Sequence, residues 1–173
     1  MADMVIKVDF TEIYTFLEKL NGAAKGEFKK ELSLFMERIG LKFLQLVQDE
    51  IIRKKVWDTT LLLQSFQRGD SDNIWVWDDG RLRLEVGTNV KYASYVNDGH
   101  WTCKEGEIGR FVPGVWQGDK FIYQKGAKTG MYLKQQFVEG THYWESAWKL
   151  LEEAFPGMCE DMLSDWINDY FGA

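Results

Sequence analysis

Four residues in the second half of the chain have side chains that could bind a metal ion or attack a substrate: Asp98, His100, Cys103 and His142. Zinc prefers tetrahedral sets of histidine, cysteine and carboxylate ligands, and its sites commonly show CxxC or HExxH spacing. Neither spacing occurs here, and His142 is far along the chain from the other three. We therefore predict structural roles for these residues, with no metal, no cofactor and no catalytic residue.

Two further patterns could indicate nucleotide or nucleic-acid binding. Glycines recur between residues 106 and 130, but none belongs to a GxxxxGKS or GxGxxG loop, so we predict that they are turn residues. Tyr92, Tyr95 and Trp101 could stack on bases, yet Lys91 is the only basic residue interleaved with them. The formal net charge of -6 also argues against a broad basic footprint. DNA passing near this protein would therefore not be bound specifically.

The composition is that of one folded domain spanning residues 1–173, with 45% hydrophobic residues available for a core. Eight Trp, seven Tyr and eleven Phe are many for this length, and aromatic side chains are enriched at association surfaces as well as in cores. The two cysteines lie far apart in the sequence and suggest no disulfide framework. No apolar stretch approaches the length needed to cross a bilayer. These features predict an oligomer that does not contact membranes.

The elements that must position any site begin with a short strand at Met4–Val8. Asp9 or Thr11 could then cap a brief helix that ends at Leu20, before Asn21 and Gly22. From Ala23 to about Lys55, apolar residues recur at three- and four-residue steps, which predicts one long helix with a single apolar stripe. Its polar face lacks a sustained pairing pattern of charges, so a role as the core spine is favoured over a coiled coil. The stripe contains Phe28, Leu32, Phe35, Met36, Ile39, Phe43, Leu46, Val47 and Ile51.

A short helix begun by Asp58 is predicted to reach Phe66, and a β-hairpin follows from Asn73 to Val86. Asp79 and Gly80 lie between the two strands and are typical of a tight turn. Trp75 and Trp77 share one face of the first strand, and Ile74 and Val76 share the other. Because both faces are apolar, this strand is expected to be central in its sheet or covered by a neighbouring subunit.

The stretch 86–100, VGTNVKYASYVNDGH, combines three local signals. Leu82, Leu84 and Val86 alternate with polar residues as in a half-buried strand, which Gly87 is expected to end. Thr88 or Asn89 could cap a short helix, and Gly99 stands where a helix end favours a residue without a Cβ. A glycine-rich β-arm is predicted at about 101–138, and from Thr141 a helical pattern runs to the C-terminus through a kink or brief break at Pro156.

This stretch resembles the signature VGTNVxYAxYVExGH of a phage family, the tail-completion or head-tail connector proteins of long-tailed phages. Asp58, Thr59 and Ser65 fit the family's upstream DTGxLxxS pattern, in which Thr60 replaces the usual glycine. Gly140, His142 and Ala147 fit its downstream GxHxxxxA pattern. The resemblance implies an α+β fold, in which a small antiparallel β-sheet with an extended β-arm packs against a long N-terminal helix and a C-terminal helix.

The resemblance also implies a structural role in the virion. The expected protein is a neck subunit that completes the tail end and joins it to the head-side connector. It would assemble in the host cytoplasm as a homo-oligomeric ring, with six copies as the expected number, and DNA could pass through the lumen. Tail-tube or terminator proteins and the head-side connector are the expected partners. The alternatives are a tail terminator that stops tube polymerisation, or a small hydrolase or nucleic-acid-processing protein that uses His100 or His142.

Charge divides the C-terminal part of the chain into two contrasting segments. Residues 101–140 carry six basic and four acidic residues, whereas residues 141–173 have a net charge of -6. A solvated acidic helix face would explain the second segment, as would the lining of a passage that repels DNA. Alternatively, the arm of one subunit contacts the acidic helix of the next, in a head-to-tail interface that closes a ring. The candidate interface residues are Trp75, Trp77, Tyr92, Tyr95, Phe111, Trp116, Lys120, Phe121, Tyr123, Lys125, Glu152 and Glu153.

Overall fold

A computed structural model describes residues 4–8, 26–56, 60–78, 80–104 and 106–171 of the chain. The chain forms two compact units, one of Met1–Ser94 with His142–Ala173 and one of Tyr95–Thr141. The fold is α+β, as predicted, and the predicted arm falls within the second unit. That the whole chain acts as one domain stays a prediction. The brief helix predicted between Asp9 and Leu20 lies outside the described residues, as does Asp58.

Two long helices form the frame of the first unit: α1 at Glu27–Arg53 and α4 at Tyr143–Phe171. They are antiparallel, because residues later in α1 contact residues earlier in α4. The Phe28 ring lies 4.5 Å from the Trp166 ring, and the Phe43 ring lies 5.0 Å from the Trp144 ring. This aromatic seam confirms the predicted core spine, and the predicted stripe is buried except for Leu46.

Pro156 lies inside α4, which continues without a break for 29 residues. The predicted brief break at this residue is therefore wrong, whereas the prediction of one helical element is confirmed and a kink at Pro156 stays a prediction. The described residues include no helix that is both long and apolar enough to cross a membrane.

A three-stranded antiparallel sheet, in the order β1-β3-β2, packs against α1. Its strands are β1 at Met4–Val8, β2 at Asn73–Asp78 and β3 at Arg83–Thr88. Leu84 and Val86 in the central strand are buried, and their partners in β2 are Trp77 and Trp75. A side chain at Gly40 of α1 would overlap both Leu84 and Trp75. Glycine therefore lets the helix backbone lie directly on the sheet.

Three details of this sheet differ from the sequence prediction. Among the described strands β2 lies at the edge of the sheet, so the first expectation, a central strand, is wrong, whereas cover by a neighbouring subunit stays a prediction. β3 continues through Gly87 to Thr88, because both residues pair with β1 and β2. Asp78 pairs with Arg83, so four residues connect the strands instead of a tight Asp-Gly turn. Leu82 is buried at φ 46°, which indicates that the turn is extended to bring this side chain into the core.

Two short helices complete the helical elements of the described residues: α2 at Thr60–Gln64 and α3 at Ala93–Asp98. α3 begins later than predicted, because the Thr88 hydroxyl accepts a hydrogen bond from the Val90 amide in a local turn and does not cap the helix. Gly99 has φ 84°, which confirms the predicted left-handed helix stop.

The second unit is built from five short strands in two antiparallel sheets, which confirms the predicted β-structure of the arm. The base of the arm is β4 at Gly99–Trp101 paired with β8 at Phe137–Glu139. Beyond it, β5 at Gly109–Gln117 lies between β6 at Lys120–Tyr123 and β7 at Gly130–Lys134. The first half of β5 pairs with β7 and its second half pairs with β6.

Candidate assembly surfaces

The residues that carry the family resemblance meet in two places, the first of which is in the first unit. The Thr88 hydroxyl donates to the Ser65 hydroxyl at 2.7 Å, and Ser65 donates to the Leu62 carbonyl at 2.8 Å. The Asn73 amide donates to the carbonyls of Ser65 and Gly87. Because both hydroxyls are buried, these bonds fix α2 against the ends of β2 and β3.

The second meeting point of the motifs lies at the base of the arm. Thr141 donates from its backbone amide and its hydroxyl to the Val96 carbonyl, each at 3.0 Å. Gly99 and Gly140 lie backbone to backbone, so that a Cβ on Gly99 would be only 2.8 Å from the Gly140 nitrogen. These motif residues therefore hold the two ends of the 95–141 unit together, and their arrangement is structural.

Three of the candidate metal ligands have hydrogen-bond contacts within their own unit. The Sγ of buried Cys103 donates to the Leu133 carbonyl at 3.4 Å, and His100 Nδ1 lies 3.4 Å from the Tyr95 carbonyl oxygen. The His142 carbonyl accepts hydrogen bonds from Lys54 Nζ at 3.0 Å and Ser146 Oγ at 2.7 Å. Within the described ranges, no group of three or more His, Cys, Asp or Glu residues could hold a metal ion.

One buried carboxylate interacts with the last turn of α1. Glu50 is 4% exposed and accepts hydrogen bonds from the Arg53 guanidinium at 2.7 and 2.5 Å. These bonds are the main cause that lowers the pKa of Glu50 below the usual value of 4.5. This pair was not predicted from the sequence, although a Glu and an Arg at i, i+3 on an apolar helix face are a signal for it. Its position within the helix indicates a contribution to stability.

The arm sheet β6-β5-β7 exposes aromatic side chains on both faces. Paired residues share a face, so Phe111 lies beside Tyr132 on one side and Trp116 lies beside Phe121 on the other. Phe111, Tyr132 and Trp116 are each more than half exposed. An antiparallel sheet of this size usually buries at least one face. The exposed rings are therefore candidates for contact with another molecule.

The glycines of the arm strands are explained by these rings. The Tyr132 ring lies over Gly109, the Phe121 ring over Gly114 and the Phe111 ring over Gly130, in each case where a Cβ would stand. Each glycine thus provides the space in which a ring covers the backbone of a neighbouring strand. The prediction that these glycines are turn residues is therefore wrong for all three.

The arm is also basic and the exposed face of α4 is acidic. Residues 109–134 contain five basic residues and one acidic residue, Asp119. Lys120, Lys125 and Lys128 are all exposed. α4 carries seven acidic residues and one lysine, and Glu145, Glu153 and Glu160 are exposed along it. Glu152 is also exposed, and its Oε1 accepts a 2.7 Å hydrogen bond from the Trp148 indole.

Two exposed residues in the middle of α4 weaken the helix. Relative to alanine in a helix interior, proline costs about 3 kcal/mol and glycine about 1 kcal/mol. Pro156 and Gly157 are adjacent and exposed, and apart from its chain neighbours and the nearby backbone of α4 itself no described atom lies within 4 Å of a Cβ built on Gly157. Packing within the described residues thus does not require glycine at this position. We call Pro156 and Gly157 the α4 notch.

The predicted interface residues fall into two groups. Trp75 is half-buried, packs near Gly40 and lies under the Arg68 guanidinium at 4.3 Å from the ring centroid, so its known contacts are internal. Trp77 and Tyr92 are also half-buried, and Tyr95 is exposed. The predicted residues of the arm and of α4 are exposed, except for half-buried Phe121: Phe111, Trp116, Lys120, Tyr123, Lys125, Glu152 and Glu153. Tyr132 and Ile122 were not predicted as interface residues. Tyr132 pairs with Phe111 and Ile122 pairs with Val115, so all four side chains lie on one face of the arm sheet.

Comparisons with known proteins indicate the same kind of family as the motif residues do. The family model described as "Bacteriophage HK97-gp10, putative tail-component" matches residues 15–99. "Phage-like element PBSX protein XkdI" of Bacillus subtilis (strain 168) is 45% identical over 149 residues, which cover 86% of this chain and 91% of that protein. "Uncharacterized protein YqbI" of the same strain is 43% identical over 159 residues, which cover 90% and 95% respectively. No solved structure matches the chain significantly. The chain therefore belongs to the HK97-gp10-like family of phage tail components.

Proposed function

We propose that this tail component is a neck protein, which completes the tail end and joins it to the head-side connector. The observation that carries the proposal is the arm sheet, whose two faces both present exposed rings. A subunit that contacts neighbours on several sides can cover two faces, whereas a free globular protein leaves them in water. In a tail-like particle without a head, the same subunit would finish the tube. The role is structural, and the protein catalyses no reaction.

In this role the subunits form a closed ring, for which six copies is the expected number. A ring needs two different complementary patches on each subunit, and the basic arm and the acidic face of α4 supply such a pair. The tail tube or its terminator would lie against one side of the ring and the head-side connector against the other. DNA would pass through the lumen without specific contacts, since the net charge of -6 does not favour phosphate. Free subunits would be in the host cytoplasm until assembly.

The test is deletion of the gene in a lysogen, followed by electron microscopy of the induced particles. We expect tails of normal length that fail to join heads, and a tagged copy supplied in trans should label the head-proximal tail end. A particle that naturally lacks a head would instead carry the label at the finished end of its tube. Overlong tails would indicate a terminator. Normal joined particles without the protein would overturn the proposal.

A further inference from the structure

The α4 notch has the chemical groups needed to bind a specific partner segment. Glu153, Gly157 and Glu160 follow each other at helical i, i+4 and i+7 spacing, so they share one face of α4 and the carboxylates lie on either side of the notch. All three residues are exposed. Proline has no backbone N–H, and so Pro156 cannot donate the helical hydrogen bond to the Glu152 carbonyl. This face thus offers two carboxylates and a surface without a side chain at Gly157, and in the neighbouring row of the helix the Glu152 carbonyl lacks the N–H donor that residue 156 would normally supply.

The turn between β6 and β7 has the complementary chemistry. Lys125 and Lys128 are exposed on either side of Gly126, which has φ 85°. Tyr123 immediately precedes this turn and is 62% exposed, the largest exposed fraction among the arm's aromatic residues. A tyrosine combines a flat apolar ring with one hydroxyl donor, and a pair of lysines supplies two positive charges.

We propose that the β6–β7 turn of one copy docks on the α4 notch of a second copy. The Tyr123 ring covers Pro156 and Gly157, and its hydroxyl donates to the Glu152 carbonyl. Lys125 and Lys128 pair with Glu153 and Glu160. The ring supplies most of the apolar contact, while the exposed charge pairs mainly set orientation and partner choice. The inference rests on the proposed function in that it supplies the contact between copies in the ring.

Charge complementarity selects a second copy as the occupant over a nucleic acid or an unrelated protein. The arm is the basic part of a chain whose net charge is -6, and the strongest acidic face described is α4 of the same chain. A phosphate backbone would be repelled by α4 and could bind only the arm. A second copy satisfies both surfaces in one heterologous interface.

The direct test places a photo-crosslinking phenylalanine analogue at position 123 of the full chain, in equal mixtures of isotopically light and heavy copies. Particles from complemented induced lysates are irradiated and the crosslinked peptides are analysed by mass spectrometry. We expect crosslinks to residues 150–161, with mixed light-heavy pairs. Crosslinks only within one copy, to another protein or to DNA would overturn the inference. If this protein is absent from the particles, the concentrated purified chain is irradiated at low salt instead. Absence of the same crosslink in that sample would equally overturn the inference.

Variants separate docking from folding. Lys125→Glu with Lys128→Glu should weaken self-association at least tenfold, and Glu153→Lys with Glu160→Lys in the same chain should partly restore it. The matched control is Lys91→Glu with Lys104→Glu, which changes the net charge equally at exposed positions outside the arm strands. Gly157→Gln should fill the notch and weaken association while raising thermal stability, since open space surrounds this position. Unchanged association in both the charge-reversed and the Gly157→Gln variants would overturn the inference.

The two proposals fail in different ways. If tails still join heads in the variants and no crosslink forms between position 123 and the α4 notch, the neck role stands and this contact is excluded. If instead the mixed light-heavy crosslink forms but the protein is absent from the head-proximal tail end, the contact between copies is supported and the neck role is excluded.

Discussion

Thr88 and Ser65 are joined through their hydroxyls by a 2.7 Å hydrogen bond between two segments that are 23 residues apart. Both side chains are buried, and Thr88 also accepts a hydrogen bond from the Val90 amide. The bond thus connects the upstream serine of the family pattern with the threonine of its VGTN segment. The resemblance between sequences therefore reflects a physical contact in the fold.

Ser65→Ala should lower the free energy of unfolding by about 1 to 2 kcal/mol, because the Thr88 hydroxyl loses its buried acceptor. Thr88→Val should cost a similar amount, since the Val90 amide also loses its partner. In the double variant the two costs should be less than additive by about 0.5 to 1.5 kcal/mol, as expected for directly bonded residues. Denaturant unfolding of the four proteins measures this coupling. Strict additivity would mean that the bond contributes nothing.

Gly99 and Gly106 provide a matched pair, because both have φ 84° but differ in surroundings. A Cβ on Gly106 meets nothing within 4 Å, whereas one on Gly99 would be 2.5 Å from the Val138 carbonyl oxygen. Gly106→Ala should cost about 1 kcal/mol for the left-handed backbone alone. Gly99→Ala should cost clearly more and should reduce hydrogen-exchange protection of the β4 and β8 amides. Equal effects of the two substitutions would contradict the close packing at the base of the arm.

Glu50 should make stability depend on acid pH. Its folded-state pKa lies below the usual 4.5 because of the Arg53 hydrogen bonds, so ionised Glu50 stabilises the fold above that pH. The contribution is lost as the pH falls through the folded-state pKa. Glu50→Gln should therefore cost about 1 kcal/mol at pH 7, and the difference from the natural protein should shrink below pH 4.5.

Asp49→Asn is the control for this pH dependence, since Asp49 is an exposed acidic residue on the same helix. We expect its stability to follow that of the natural protein across the same pH range. A Glu50→Gln difference that stayed constant down to pH 3 would show that the Arg53 pair is not the cause.

Local sequence patterns predicted the elements that depend on near neighbours. The spacing of Phe28, Phe35 and Phe43 is a property of one helix, and so the long spine could be derived without knowing what covers it. The left-handed stop at Gly99 is similarly local. By contrast, the loop after Asp78 depends on its pairing with Arg83, and that pairing depends on where Leu82 fits in the core. No local signal carries this information.

The candidate surfaces show the same division. The opposite charges of the arm and of α4 could be counted from the sequence, whereas the α4 notch could not be found until Pro156 and Gly157 were known to be exposed within one continuous helix. The pairing of rings with Gly109, Gly114 and Gly130 joins residues of neighbouring strands. It therefore required the register of the sheet.

The rings that cover these glycines also affect the thermodynamics of any contact that the arm makes. An exposed aromatic side chain on a mobile loop loses rotational freedom when it binds, and this loss weakens the complex. Phe111 and Tyr132 are already held against neighbouring backbone in the free subunit. The arm thus presents a preorganised surface whose side-chain entropy was reduced during folding, and under the proposed function this would spare assembly a separate ordering step.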